Sequence, residues 1–578
     1  MTRLFDDPDR FSEDQLRGFA AAYPEHVTVV PGGVVRTRAQ AEGRVAVVVG
    51  GGSGHYPAFS GLVGEGLAAG AVVGNIFTSP SARQAEAVAR AADTGAGVLF
   101  SFGNYAGDRM NFGMAQARLR DAGIDTRTVM VTDDVASAPA ERRHERRGIA
   151  GDFTVFKVAG AAAEEGLDLD GVEAAARRAN DRTYSFGIAF DGCTMPGADA
   201  PLFTVPDGKM AIGLGIHGEP GVRDADMADA PTIARTLVER LLEERPTGAG
   251  PRVAAILNGL GATKYEELFL LWGHVAGALA GAGLTVVRPE IGELVTSLDM
   301  AACSLTLMWL DEDLERRWCA AADAPGFRRT PLPKAPDGPR ARSGQAAPAP
   351  ATTPFVPGDR ASRAAAADTL AALRALRGAL HEAAGELGRI DAVAGDGDHG
   401  RGMTKGVDAA VRAAETADSA GAGARSLLSA AADAWADEAG GTSGVLWGVA
   451  LRALAQELGD TGRADGTRAA EGARAALDAV TSLGGAKPGD KTLVDALVPL
   501  VDTFTAGVAR GAAPRVALAE AAAAATVAAD ATAALTPRLG RARPLAERSV
   551  GTPDAGALSL ALCARTVAAL FGDADATG

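Results

Sequence analysis

Val47-Val48-Val49-Gly50-Gly51-Gly52-Ser53-Gly54-His55-Tyr56-Pro57 decides how the first half of this chain is read. A β-branched run that empties into consecutive glycines predicts a buried strand whose carboxyl end opens into a tight turn. In α/β folds that end of a strand is where ligands sit. The stretch is not a dinucleotide fingerprint: in G-x-G-x-x-G the sixth position is glycine, but counted from Gly50 it is His55 and counted from Gly52 it is Pro57. What remains is a glycine-rich turn whose backbone N–H groups can approach a polar ligand, with an imidazole beside them. Taken alone, a purely structural turn competes with that reading.

Outward from this stretch, RVAVVV (Arg44 to Val49), GVLFSF (Gly97 to Phe102), TVMVTDD (Thr128 to Asp134), VAAILNGLG (Val253 to Gly261), LTVV (Leu284 to Val287) and SLTLMWL (Ser304 to Leu310) predict further strands. Segments with helical spacing, such as SARQAEAVARAADTG (Ser81 to Gly95), alternate with them, so the first half reads as α/β. Two more apolar runs lead into loops that carry chemistry. GVLFSFGNYAGDRMNFG holds Asn104, Asp108 and Asn111, and MAIGLGIHGEPG sets His217 among glycines. A lone histidine flanked by glycine is usually a turn residue. Here two histidines and an aspartate each follow a β-like run, which places them to converge at one sheet edge. Together they offer a proton acceptor, an orienting carboxylate and an imidazole able to add to a carbonyl carbon.

From Pro331 to Asp359 the chain reads PLPKAPDGPRARSGQAAPAPATTPFVPGD, rich in Pro, Ala, Gly and Ser and without apolar periodicity. This composition predicts an interdomain linker, placed at residues 333–358. Before it stands an α/β domain over 1–332, with subdomains of about 1–183 and 184–332; after it, residues 359–578 form a second domain. There the strand signals vanish. RAAAADTLAALRALRGALHEAAGELGRID (Arg363 to Asp391) and RVALAEAAAAATVAADATAAL (Arg515 to Leu535) typify an all-α helical bundle.

The helical half has its own constellation, Asp391-Ala-Val-Ala-Gly-Asp396-Gly-Asp398-His399-Gly400. Three carboxylates crowded around glycines repel one another unless a cation sits among them. An EF-hand is excluded, because from Asp396 the twelfth position is Val407 rather than Glu. Magnesium suits the set better, since it takes few protein carboxylates and completes its shell with water and phosphate oxygens; a solvated acidic turn is the competing reading. EAGGTSGVLWG (Glu438 to Gly448) predicts a helix N-terminus offering free N–H groups and hydroxyls to a phosphate, or else a simple cap. GGAKPGDKTLVDAL resembles a P-loop until it is counted: five residues after Gly484 comes Gly489, and Asp490 stands where lysine is required. GRARPLAERSVGTPDAGALS adds Arg541, Arg548 and a turn through Asp554 to Gly556. A carbonyl-reactive histidine site in one half and a magnesium-phosphate site in the other join most simply as phosphoryl transfer to a small hydroxy-carbonyl compound.

In order, GGGSGH, GNYAGD, GIHGEPG, GDGDHG, GGTSG and GAKPGDKT resemble the dihydroxyacetone kinase family. The order is similar to its single-chain form, a DhaK-like domain linked to a DhaL-like domain, over nearly the whole chain. The resemblance implies an ATP-dependent ketose kinase in which His217 forms a covalent hemiaminal with the ketone carbon. It further implies that Asp108 is the general base, His55 its acid/base partner, and Ser53 and Gly54 contacts for substrate hydroxyls. Asp391, Asp396 and Asp398 would hold two magnesium ions. His399, Thr442, Ser443, Gly489, Asp490, Lys491, Thr492, Arg541, Asp554 and Gly556 would surround ATP, and the protein would be a homodimer. Family members acting on dihydroxyacetone commonly read GSGHEP, whereas Tyr56 follows His55 here. That departure beside His55 biases the expectation towards the four-carbon ketose erythrulose. A phosphoprotein-dependent transferase, a non-enzymatic ketose sensor or coactivator, and FMN cyclase side activity are the alternatives the resemblance leaves open.

Composition limits the rest. The chain has 57 Lys+Arg against 72 Asp+Glu and no long basic run, so no nucleic acid partner is expected. Four dispersed cysteines (Cys193, Cys303, Cys319, Cys563) argue against a disulfide scaffold and for buried thiols in a reducing compartment. The acidic, broken N-terminus MTRLFDDPDRFSEDQL does not read as a signal peptide, which predicts a cytoplasmic protein. LFLLWGHVAGALAGAGLTVV (Leu268 to Val287) is uncharged, but His274 and its Ala/Gly content predict a buried helix, a turn and a strand rather than a membrane span.

Overall fold

The computed structural model describes residues 2–219, 221–331, 355–539 and 542–572, which fall into two compact units, 2–331 and 355–572. Residues 333–354 of the expected linker, and Arg541, lie outside the described residues. The last linker positions belong to the fold of the second unit: Pro357 bridges to Ala422, and the Gly358 amide donates to the Gly421 carbonyl.

The first unit carries two large sheets. The strands of the first are β1 (Val27–Val30), β2 (Gly33–Arg36), β3 (Ala46–Ser53), β4 (Gly70–Ile76), β5 (Val98–Gly103) and β6 (Thr126–Val131), in the order β1-β2-β4-β3-β5-β6. From β4 to β6 the pairing is parallel, and an antiparallel hairpin closes the edge. The second sheet is built from β7 (Thr183–Ala189), β8 (Lys209–Ile212), β9 (Arg223–Asp226), β10 (Arg252–Gly259), β11 (Thr285–Val286), β12 (Glu290–Gly292) and β13 (Ala302–Trp309). Its path β11-β10-β13-β7-β8-β9 is mostly antiparallel, with β12 beside β10. The Val-rich start of the quoted stretch thus lies in β3, the core strand whose Ala46 to Val49 are sealed from solvent.

Helices of this unit are α1 (Phe11–Ala22), α2 (Ala82–Ala92), α3 (Ala106–Asp121), α4 (Gly151–Glu164), α5 (Leu169–Arg182), α6 (Ala230–Leu242), α7 (Tyr265–Gly281) and α8 (Glu312–Cys319). α4 is the centre of the unit. Gly151 through Ala163 are all buried, and the helix touches β3, β5 and β6 of one sheet and β7 of the other. A helix without a solvent-facing side belongs in such a place. α7, by contrast, is not the buried helix expected of Leu268 to Val287. Leu268, Leu271, Val275 and Leu279 face the core, whereas Phe269 and Leu270 are 57% and 61% exposed. The following turn and short strand β11 are as expected.

The second unit is helical: α9 (Arg360–Asp391), α10 (His399–Ser419), α11 (Ala424–Ala439), α12 (Gly441–Leu458), α13 (Gly466–Gly484), α14 (Val494–Ala509), α15 (Pro514–Ala531), the single turn α16 (Ala546–Ser549) and α17 (Ala555–Gly572). Alanines such as Ala410, Ala431, Ala525 and Ala557 are fully buried at helix contacts, where a small side chain lets backbones approach. Segments Pro514–Ala534 and Ala555–Gly572 pass a length-and-apolarity test for a membrane span, yet α15 packs on α14 and α17, and α17 on α9.

Candidate active site and nucleotide site

The carboxyl ends of β3 and β5 open onto a cavity of about 500 Å³. Its wall includes Gly50, Gly51, Gly52, His55, Phe77, Ser79, Tyr105, Asp108, Asp152 and His217. Gly54, with φ +100, makes the turn that swings His55 back over the strand end. The His55 ring then stacks on Phe77, with ring centres 5.1 Å apart, and meets His217 edge-on at 5.0 Å. His217 reaches the same cavity from the loop between β8 and β9, where Phe77 and Tyr105 flank its ring.

A chain of polar contacts fixes the two histidines. Nδ1 of His55 donates to the Thr296 carbonyl (2.7 Å), and its Nε2 lies 3.1 Å from Nε2 of His217. Nδ1 of His217 donates to Glu219 (3.0 Å), which also accepts from the His217 amide (2.9 Å). Arg147 stands 3.5 Å from Glu219 and pairs with buried Asp134 at 2.9 Å. Burial, and then the charge of His217, press the His55 pKa down to about 3, so this ring stays neutral. For Glu219 burial alone would raise the pKa, but the hydrogen bond and charge of His217, with Arg147, bring it down to about 2.

Asp108 sits in the first turn of α3, 7% exposed, with Oδ1 unpaired towards the cavity. Burial raises its pKa to about 6 although a hydrogen bond from Ser79 opposes the shift. A carboxyl at that value is ionised at neutral pH and basic enough to accept a proton. Ser53 and Gly54 do not line the cavity as expected. At the β3–β4 irregularity the Ser53 hydroxyl turns to Ser12 of α1 (2.6 Å), and the Gly54 carbonyl accepts from Leu298 (2.8 Å). Gly50, Gly51 and Gly52 take their place on the wall. Tyr56 is also directed elsewhere: its ring packs on Phe19 of α1, centroids 5.9 Å apart, and is absent from the cavity lining. The peptide step that sends His55 inward sends its neighbour outward. The basis for expecting Tyr56 to reshape the pocket therefore falls away.

In the helical unit, a cavity of about 440 Å³ is lined by Asp391, Thr442, Gly484, Lys491, Thr492 and Asp554 among others. Asp391, Asp396 and Asp398 bring one oxygen each within 4.8 Å of one another. Asp391 ends α9 and accepts from the Gly397 amide (2.8 Å), which folds the acidic loop back on the helix. Three carboxylates at this spacing, one of them lining the cavity, fit a hard divalent cation. Thr442 and Ser443 lie in the first turn of α12, after Gly440 with φ +63, though only Thr442 lines the cavity. Lys491 lines it too, but its Nζ is held by the carbonyls of Leu535 (3.1 Å) and Ser549 (2.6 Å). It is a strut of the wall. His399, Gly489, Asp490 and Gly556 stand behind the lining: His399 Nε2 meets Ser559 (3.0 Å), Asp490 accepts from the Lys487 amide (2.8 Å), and Asp495 accepts from the amides of Gly489 (2.5 Å) and Thr492 (2.8 Å). Burial raises the Asp554 pKa to about 6, and its carboxyl accepts from the Ala557 amide (2.7 Å).

Glu219, Thr296, Phe77, Arg147 and Asp152 were not singled out from the sequence. Glu219 alone had a local signal, a carboxylate two residues from His217 in GIHGEPG.

Two sheets with a paired-histidine cavity and a helical unit with a carboxylate triad define a two-site enzyme. Family models for the Dak1 domain and the DAK2 domain match residues 17–326 and 393–569. The chain is 59% identical to D-erythrulose kinase of Mycolicibacterium smegmatis, over 98% of both chains. It is 54% identical to L-erythrulose kinase of Pectobacterium atrosepticum, over 99% of this chain and 97% of that one. Among solved structures, the dihydroxyacetone kinase of C. freundii in complex with AMP-PNP and Mg2+ is similar with a TM-score of 0.60 and 28% identity, covering 98% of this chain and 99% of that one. The chain belongs to the dihydroxyacetone kinase family, with both of its domains in one polypeptide, and it is a kinase.

Proposed function

We propose that this kinase uses ATP to phosphorylate a terminal hydroxyl of a short ketose, with erythrulose preferred to dihydroxyacetone. The observation that carries the ketose reading is the His55–His217–Glu219 arrangement on the cavity wall. Glu219 keeps the proton of His217 on Nδ1, which leaves the lone pair on Nε2. That lone pair bonds to the ketone carbon, the carbonyl π pair moves onto oxygen, and the oxygen takes up one proton from water. The charge left on the ring is held against Glu219. A tiny substrate is thereby fixed rather than merely bound, and positioning of this kind lowers the barrier for a later attack. Asp108 accepts the proton of the attacking hydroxyl, and neutral His55 holds the adduct oxygen.

In the helical unit, Asp391, Asp396 and Asp398 would hold two magnesium ions, with Thr442 and Thr492 beside the phosphates. Magnesium bound there supplies neutralisation of phosphate charge. The similarity to D- and L-erythrulose kinases supports a four-carbon substrate, and the neighbour solved with AMP-PNP and Mg2+ supports ATP. The test is ATP consumption by the full chain with three- to five-carbon ketoses and aldoses. A higher kcat/KM for D- or L-erythrulose than for dihydroxyacetone is expected; a value equal or lower for both enantiomers overturns the preference. Turnover only with a phosphorylated carrier protein overturns the use of ATP.

A further inference from the structure

α4 is buried on every side, so each charged residue within it calls for a physical reason. Lys157 has one, since its Nζ donates to the Arg317 carbonyl at 2.9 Å. Asp152 has none inside the protein. The amides at the start of α4 are already capped by Asp133, which accepts from Ile149 (2.9 Å) and Gly151 (2.8 Å). Asp152 is 3% exposed, its Oδ1 has no hydrogen-bond partner, and it lies on the wall of the cavity that holds His217, His55 and Asp108. Gly148 gives that carboxyl its room: a Cβ there would come within 2.8 Å of Asp152 Oδ1 and 2.4 Å of the Gly103 Cα. An unpaired buried oxygen costs stability, so a carboxyl kept at this place points to a ligand.

We propose that Asp152 is a specificity-determining residue, which holds the hydroxyl by which a four-carbon ketose exceeds dihydroxyacetone. The proposal rests on the ketose reading above. His217 takes the carbonyl carbon, Asp108 the reacting hydroxyl, and His55 with the Gly50 to Gly52 turn the groups beside them. A tetrulose brings one more hydroxyl, and Asp152 is the remaining unpaired carboxyl on the wall. Burial, with Asp133 and Asp108 beside it, raises the pKa of this carboxyl. In either protonation state a carboxyl oxygen can accept from a substrate hydroxyl.

The test is calorimetric binding of dihydroxyacetone, D-erythrulose and L-erythrulose to the full chain and to Asp152→Leu, Asp152→Ala and Asp152→Asn, with circular dichroism to confirm folding. The Leu and Ala variants are expected to lose about tenfold or more in affinity for an erythrulose enantiomer and less than about threefold for dihydroxyacetone. Asp152→Asn, which keeps a donor and an acceptor, is expected to stay within about threefold of the parent for all. Equal weakening for triose and tetrulose, or none, in whichever of the Leu and Ala variants folds overturns the proposal. Phosphorylation is assayed in parallel: a parent protein that binds ketoses but never phosphorylates them refutes the kinase reading alone, and one that binds no ketose refutes both.

Discussion

The Nε2 atoms of His55 and His217 stand 3.1 Å apart, and each ring is held from its far side by a group that can only accept a proton. The Thr296 carbonyl takes Nδ1–H of His55, and the Glu219 carboxylate takes Nδ1–H of His217. When both rings are neutral, two lone pairs therefore face each other across the cavity wall. In the proposed reaction, a carbonyl carbon bonding to His217 Nε2 would relieve that repulsion.

His217→Ala removes the proposed nucleophile, an imidazole 22% exposed at its side chain and flanked by Phe77 and Tyr105. Ketose affinity should fall by about 100-fold or more while nucleotide binding and the folded state persist. Calorimetry with each ligand separates the two. Glu219→Gln should keep the geometry but lose the charge that holds Nδ1–H, and should lower kcat/KM by about tenfold with a larger effect on ketose capture than on KM for ATP.

Asp108 gives a pH prediction with a definite sign. With its pKa raised to about 6, Asp108 is ionised above that pH, so if it is the proposed base, kcat/KM for the ketose should fall as pH drops through 6. Asp108→Asn should abolish turnover. A raised carboxyl pKa contributes stability below the unfolded value near 4, which is lost as pH rises through about 6; the ionised carboxylate is a burden at pH 7. Thermal unfolding of Asp108→Asn at pH 7.5 should therefore show a gain of roughly 2 kcal/mol, absent at pH 4. A variant that is inactive and also less stable at pH 7.5 contradicts this assignment.

Asp396→Asn takes one charge from the three-carboxylate loop, whose oxygens lie within 4.8 Å of one another. The magnesium concentration for half-maximal turnover should rise by about tenfold or more, with the ketose affinity unchanged. An unchanged requirement would assign the metal elsewhere.

Tyr56 offers a prediction of no effect. Because its ring packs on Phe19 rather than lining the cavity, Tyr56→Glu should leave the ratio of erythrulose to dihydroxyacetone kcat/KM within about threefold of the parent. A reversal of preference in steady-state kinetics would show that α1 transmits shape to the pocket.

Local spacing made much of the protein legible. β3 and its glycines, the loop bearing His217, the carboxylate loop after α9 and the turn into α12 each follow from a few consecutive residues, because backbone conformation there is set by neighbours in the chain. Where side chains point was less legible. Ser53 and Tyr56 flank His55 within three positions, yet both turn to α1, since an irregularity and a tight turn re-aim successive side chains. Lys491 reads as a nucleotide contact, whereas its ammonium holds two carbonyls.

By itself the sequence determined the two-part architecture, and it pointed to the histidines and aspartate that line one cavity and to the acidic loop after α9, all through motifs whose residues lie close along the chain. Only the tertiary structure decided that Thr296, from a stretch without any motif, orients His55 across 241 positions, and that Asp152 enters the same cavity from the buried helix α4. The reason is physical. Pairing of β-strands and burial of α4 between two sheets bring distant segments together, and the cost of an unpaired buried group can be seen only once its surroundings are assembled.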